Sequence, residues 1–144
     1  MGAILFSKVR VKKGALNHFR KRAREVFPLE IHAYLLGNIK SIDTVEIIEF
    51  CYPKVYQVQT TGEVQWSAEE YVALKEEAEN KCLKIVGDIH SHPNWDAVMS
   101  PSDYKGCILD SLSVCAICSV YGNKTRVRFW TPTSSLPCEV VHYT

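Results

Sequence analysis

Apolar positions recur along this chain with two periods, and the periods alternate. Leu5, Val9 and Val11 fall on one face of an extended segment, so residues 3–11 read as a strand. Leu16, Phe19, Ala23 and Val26 then return every three or four positions, which predicts a helix closed by Pro28. Residues 31–36 and 44–50 look like strands separated by a polar turn over residues 38–43. Residues 51–66 hold Pro53, Thr60, Thr61 and Gly62 and read as a loop or irregular strands over a cleft. Ser67 with Glu70 makes a capping box, and Tyr71, Leu74 and Ala78 form the apolar stripe of a helix running to about Lys81.

Ile85, Val86 and Ile89 make residues 84–92 extended, and Ser100-Pro101 then reads as a helix start, serine as N-cap and proline at the first helical position. Residues 114–120 and 126–130 flank Tyr121-Gly122-Asn123-Lys124, a hairpin turn, and a last strand is expected around residues 139–143. Strands interspersed with three helices predict an α/β domain with a mixed sheet. No repeats or low-complexity segments interrupt it.

Composition narrows the class. A chain of 144 residues fits a single domain over residues 1–144, and 47% apolar content argues against disorder. No apolar run approaches the roughly 20 residues of a membrane span. The start runs into Ser7-Lys8 too soon for a signal peptide, so the expectation is a soluble cytoplasmic protein without a membrane partner. A myristoylation start is discounted because its serine or threonine should stand where Phe6 does.

Formal net charge is +1, which leaves no global field for capturing nucleic acid, and no nucleic-acid partner is expected. Charge is nevertheless uneven. Lys12, Lys13, Arg20, Lys21, Arg22 and Arg24 crowd the first helix, whereas Glu69, Glu70, Glu76, Glu77 and Glu79 crowd the second. These read either as two solvated faces or as a docking patch for an acidic partner. The six cysteines are expected to be reduced. Cys115 and Cys118 lie three apart in a buried strand and so face opposite sides, badly placed for one metal. Cys51, Cys82, Cys107 and Cys138 are scattered and offer no second metal site.

Candidate chemistry concentrates in residues 90–103. On a strand, His90 and His92 project to the same side and can share one ion. Pro93 keeps His92 extended, residues 94–99 turn the chain back, and Asp103 falls in the first turn of the helix begun at Ser100. His90, His92 and Asp103 are thus the predicted ligands of one Zn2+, with a fourth position open for water as in catalytic zinc sites. Trp95 and Asp96, between the ligands, are candidates for substrate contacts in the cleft. His18, His32 and His142 lack partners at ligand spacing and read as surface or packing residues.

The pattern His-x-His, seven residues, Ser-x-x-Asp resembles the signature of the JAMM (MPN+ or JAB) zinc metallopeptidases, many of which remove ubiquitin or ubiquitin-like modifiers. In that family an upstream glutamate, after a proline and before a hydrophobic strand ending in glycine, serves as general base. Residues 27–37, Phe-Pro-Leu-Glu-Ile-His-Ala-Tyr-Leu-Leu-Gly, match that context and point to Glu30. The chain departs from the family at Ala33, usually glycine, and at Asp88, often tryptophan; both changes touch packing and the cleft wall rather than the ligands.

The resemblance implies an MPN-like fold, a mixed curved β-sheet flanked by helices. It implies hydrolysis of the amide after the Gly-Gly tail of ubiquitin, a ubiquitin-like protein or a sulfur carrier. Glu30 and Ser100 are the implied catalytic residues, Ser100 as oxyanion donor. Only residues 104–113 separate Asp103 from the next strand, which looks like the compact prokaryotic or viral type. Two other readings stand beside it: a zinc hydrolase of a different amide, and a non-catalytic MPN scaffold, whose relatives lack the ligands.

Overall fold

The computed structural model describes residues 7–144. Strand β1 (Lys8–Lys12) leads into helix α1 (Lys13–Val26), followed by β2 (His32–Ser41) and β3 (Thr44–Cys51). A small ribbon, β4 (Val58–Gln59) and β5 (Val64–Gln65), precedes α2 (Ala68–Asn80). Then come β6 (Lys84–Pro93), α3 (Pro101–Leu109), β7 (Val114–Tyr121), β8 (Lys124–Trp130) and β9 (Glu139–Tyr143). Seven strands form one mixed sheet in the order β8-β7-β6-β2-β3-β1-β9, and β4 pairs only with β5. The part of the first expected strand before Ser7, with Leu5, lies outside the described residues.

Side-chain alternation divides the sheet into two buried faces. Ala33 and Leu35 of β2 and Val114, Ala116, Cys118 and Val120 of β7 pack against Leu16, Phe19 and Ala23 of α1. The opposite face meets α2 through Tyr34, Leu36, Leu74 and Ala78, and α3 through Cys107, Cys115 and Ile117. Burial on both faces explains why β7 reads as a nearly unbroken apolar run. On β6 the pairing with β2 passes from Leu35↔Gly87 to Leu36↔Ile85, skipping Val86. This bulge lets Val86 join Ile89 against α1 and leaves Asp88, His90 and His92 on the other face. Glycine is required at the bulge, since a Cβ on Gly87 would lie 2.4 Å from the Val114 carbonyl oxygen.

Three expectations change. Strand β2 runs on to Ser41, so the turn shrinks to Ile42 and Asp43, because pairing with β3 resumes after a bulge. The Ser67 hydroxyl accepts from the Glu70 N–H, but the Glu70 carboxylate reaches out to accept from the Lys54 N–H at 2.8 Å instead of closing a capping box. Cys107 of α3 and Cys115 of β7 are joined in a disulfide, Cα atoms 6.5 Å apart, against the expectation of six reduced thiols. The register of α3 on the sheet brings them together, and nothing in their spacing announces it. Cys115 and Cys118 do face opposite sides, one toward α3 and the other toward α1.

Candidate metal centre

The C-terminal half of β6 and the start of α3 build the site. His90 and His92 emerge on the same face, and α3 begins where Ser100, extended, caps it with Pro101 next. The Ser100 hydroxyl accepts from the Asp103 N–H at 3.1 Å, and the Asp103 carboxylate accepts from the Ser100 N–H at 2.9 Å. This reciprocal box fixes the carboxylate against the histidines. His90 Nε2 lies 3.1 Å from His92 Nε2 and 3.1 Å from Asp103 Oδ1, and His92 Nε2 lies 3.3 Å from Asp103 Oδ2.

These spacings fit a metal ion. Tetrahedral coordination with bonds of roughly 2.0–2.1 Å separates donor atoms by about 3.3 Å. Among the described residues, no other cluster of histidine, cysteine and carboxylate groups converges in this way. Two ring nitrogens so close share only one proton, whereas a single cation satisfies both and the carboxylate together. The tautomer of His92 agrees, because its Nδ1 faces the Asp96 carbonyl at 2.9 Å and can only donate to it. Its Nε2 lone pair therefore points into the site.

Electrostatics mark the same cluster. Burial opposes charge on His90, yet the Asp103 carboxylate against it outweighs that cost and raises its pKa above the usual imidazole value. Asp103 is held far below the ordinary carboxylate range: burial pushes it up, but hydrogen bonds from His90 and His92 prevail. Glu30 is buried at the end of the loop before β2, and burial raises its pKa; His90 and His92 oppose the rise, while Asp103 and Glu63 add to it. A buried carboxylate in the field of all three donors has the surroundings of a group that exchanges protons.

Glu30 is held by groups the sequence did not single out. Its N–H donates to the Thr60 carbonyl at 2.9 Å, and its carbonyl accepts from Gln59 Nε2 at 2.9 Å, so the last residue of β4 and the one after it clamp its backbone. Ser91, fully buried between the two histidines, accepts from the Ile31 N–H at 2.9 Å and donates its own N–H to the Ile31 carbonyl at 3.0 Å. The strand carrying the ligands is thereby tied to the residue after Glu30. Ser91→Ala leaves the Ile31 N–H buried without a partner, and chemical denaturation should show a loss of about 1–3 kcal/mol.

Other candidates land differently. Trp95 stacks on His92 at 5.4 Å while staying exposed, so it remains available to a substrate. Asp96 serves the site through its carbonyl, and its carboxylate accepts from the Tyr121 hydroxyl at 3.0 Å rather than standing free in the cleft. His32 is buried and bonded, not a surface residue. Trp66 Nε1 donates to its Nδ1 at 2.8 Å, so the ring proton sits on Nε2 and donates to Asp88 at 2.9 Å. Because His32 pairs across β2–β6 with His90, this chain forms the wall beside the first ligand. Its signal was the alternation that puts His32, Asp88 and His90 on one face. His18 is exposed, and its ring meets the edge of Tyr52.

A mixed sheet that presents His-x-His beside a capped aspartate defines a JAB/MPN-type domain with a preformed three-donor group. The chain belongs to the family of prokaryotic homologs of the JAB domain, whose model matches residues 12–133. Solved structures share the fold. A Desulfitobacterium hafniense protein superposes with a TM-score of 0.74 at 18% identity, covering 94% of this chain and 92% of that one. A JAB1/MPN domain protein from Archaeoglobus fulgidus gives 0.57 at 17%, covering 92% and 98%, and a Salinibacter ruber protein gives 0.63 at 17%, covering 93% and 91%. No curated protein matches the chain. Among the described residues, no helix is long and apolar enough to cross a membrane.

Proposed function

We propose that this chain is a zinc-dependent peptidase that hydrolyses the amide after the Gly-Gly tail of ubiquitin, a ubiquitin-like protein or a sulfur carrier. The observation that carries the reading is the convergence of His90, His92 and Asp103 at tetrahedral spacing in the field of a buried Glu30. A scaffold has no use for both.

His90, His92 and Asp103 would hold the ion. Bound there, zinc supplies Lewis acidity and makes water a nucleophile near neutral pH. Glu30 takes the proton from the attacking water and returns it to the leaving amine. The Ser100 hydroxyl uses its oxygen to accept from the Asp103 N–H, which leaves its hydrogen free to donate to the oxyanion that develops on the scissile carbonyl. Trp95 shields the face of His92 from water. No covalent intermediate with the protein is required.

Ser100→Ala is expected to keep zinc while kcat falls by about 10²–10³, the usual effect of deleting one oxyanion donor. Loss of the cap adds roughly 1 kcal/mol of destabilisation, measurable separately by denaturation. An unchanged kcat with lowered stability would reduce Ser100 to a helix cap.

The tail is taken to lie extended past the β4–β5 ribbon, held by main-chain hydrogen bonds, with Trp66 and Val55 of the neighbouring pocket touching the modifier's body. Only glycine side chains leave room for such close backbone approach. The test is a panel of fusions ending in Gly-Gly before a cleavable amide, alongside the same fusions ending in Val-Gly. Cleavage of the first and not the second is expected; equal rates would overturn the tail reading and favour a hydrolase of some other amide.

A further inference from the structure

A second pocket opens one strand away from the metal donors. It encloses about 820 Å³ between α1, the β7–β8 turn and residues 96–98, and its charged lining is Arg20, Arg24, Lys124, Arg126, Arg128 and Asp96. Five cations thus meet one carboxylate in a chain whose net charge is +1. Arg20 is engaged: its Nε donates to Thr125 Oγ1 at 2.7 Å and its Nη2 to the Thr125 carbonyl at 3.1 Å, pinning the hairpin to α1. Asp96 is engaged by Tyr121. Among the described residues no carboxylate pairs with Arg24, Lys124, Arg126 or Arg128, so four cations face the pocket without a partner.

Its position gives the pocket a purpose. Ser119 lines it and is registered beside His92 across β6–β7, and Asp96 lines it while its carbonyl holds His92. Anything seated there begins about 4.8 Å, one strand spacing, from the ligand strand. We propose that this pocket binds a carboxylate-rich segment of the protein substrate, a reading that rests on the peptidase function above.

Planar guanidinium groups match carboxylates two bonds at a time. Nucleic acid fits less well. The pocket's one aromatic ring, Tyr121, has its hydroxyl tied to Asp96 and gives no platform for successive bases. Of the basic residues that crowd α1, Arg20 and Arg24 thus belong to this pocket.

The test is direct binding of a short fluorescein-labelled polyglutamate peptide, followed by anisotropy, with zinc content and Tm as controls. Wild-type protein should bind it, salt should weaken the complex, and R126E/R128E should lose about tenfold or more in affinity with zinc unchanged. Should that variant not fold, R24E/K124E, at two exposed positions, reads the same contact. Absence of wild-type binding, equal binding by the folded variant, or tighter binding of an oligothymidylate of equal charge would each overturn the proposal. Because the readout is binding alone, a protein that holds polyglutamate yet never cuts Gly-Gly fusions refutes the peptidase reading separately.

Discussion

Glu30→Gln protein is expected to bind a full equivalent of zinc and to turn over Gly-Gly fusions about 10²–10⁴ times more slowly than wild type. The amide is nearly isosteric, and Glu30 is not among the converging donors, so the metal site should be untouched. The backbone bonds that clamp residue 30 to Thr60 and Gln59 do not involve the carboxylate, so the fold should be kept as well. What is lost is a buried group able to take and return a proton. Metal analysis and single-turnover kinetics on the same preparation separate the two effects. Wild-type rates would mean that another base operates.

His90→Ala and Asp103→Ala should each abolish both zinc and activity. Two imidazole nitrogens 3.1 Å apart, each 3.1 to 3.3 Å from one of the two Asp103 oxygens, leave no spare ligand, since no further histidine, cysteine or carboxylate converges on them among the described residues. Removing His90 also leaves Asp103, half-buried and charged, facing a gap. Asp103→Asn separates the roles of that residue, because asparagine can still accept from the Ser100 N–H while offering a far weaker ligand. Loss of zinc in Asp103→Asn with a Tm near that of wild type is the expected pattern. Zinc retained in both alanine variants would dismiss this centre.

Most of the scaffold was legible because local signals and tertiary demands agree. Leu16, Phe19 and Ala23 recur at helical spacing and all pack on the sheet. Ser100-Pro101-Ser102-Asp103 spells a helix start, and the capping box is there. The ligands were legible for the same reason: a strand places His90 and His92 on one side, and the cap places Asp103 opposite them. Disulfide pairing was not legible, since it depends on how α3 sits on β7, a matter of packing rather than spacing. The His32–Asp88–Trp66 chain was missed because its members come from three separate segments: β2–β6 register brings Asp88 to His32, and the approach to α2 brings Trp66. The bond from the Asp96 carbonyl to His92 was not legible either, because it is made by backbone, which side-chain identity does not announce.

The Asp103 carboxylate both holds the first turn of α3, through Oδ2 on the Ser100 N–H, and completes the donor set, Oδ1 facing His90 and Oδ2 facing His92. Reciprocity follows, for whatever free energy the ion gains from a preset carboxylate, the helix start gains from the ion. The two events become one cooperative step: a frayed α3 presents no third donor, and an emptied site leaves its helix start less firmly held. A metal bound there would thus steady the helix that ends at the exposed Ile108 and Leu109, beyond the one side chain that joins them to the site.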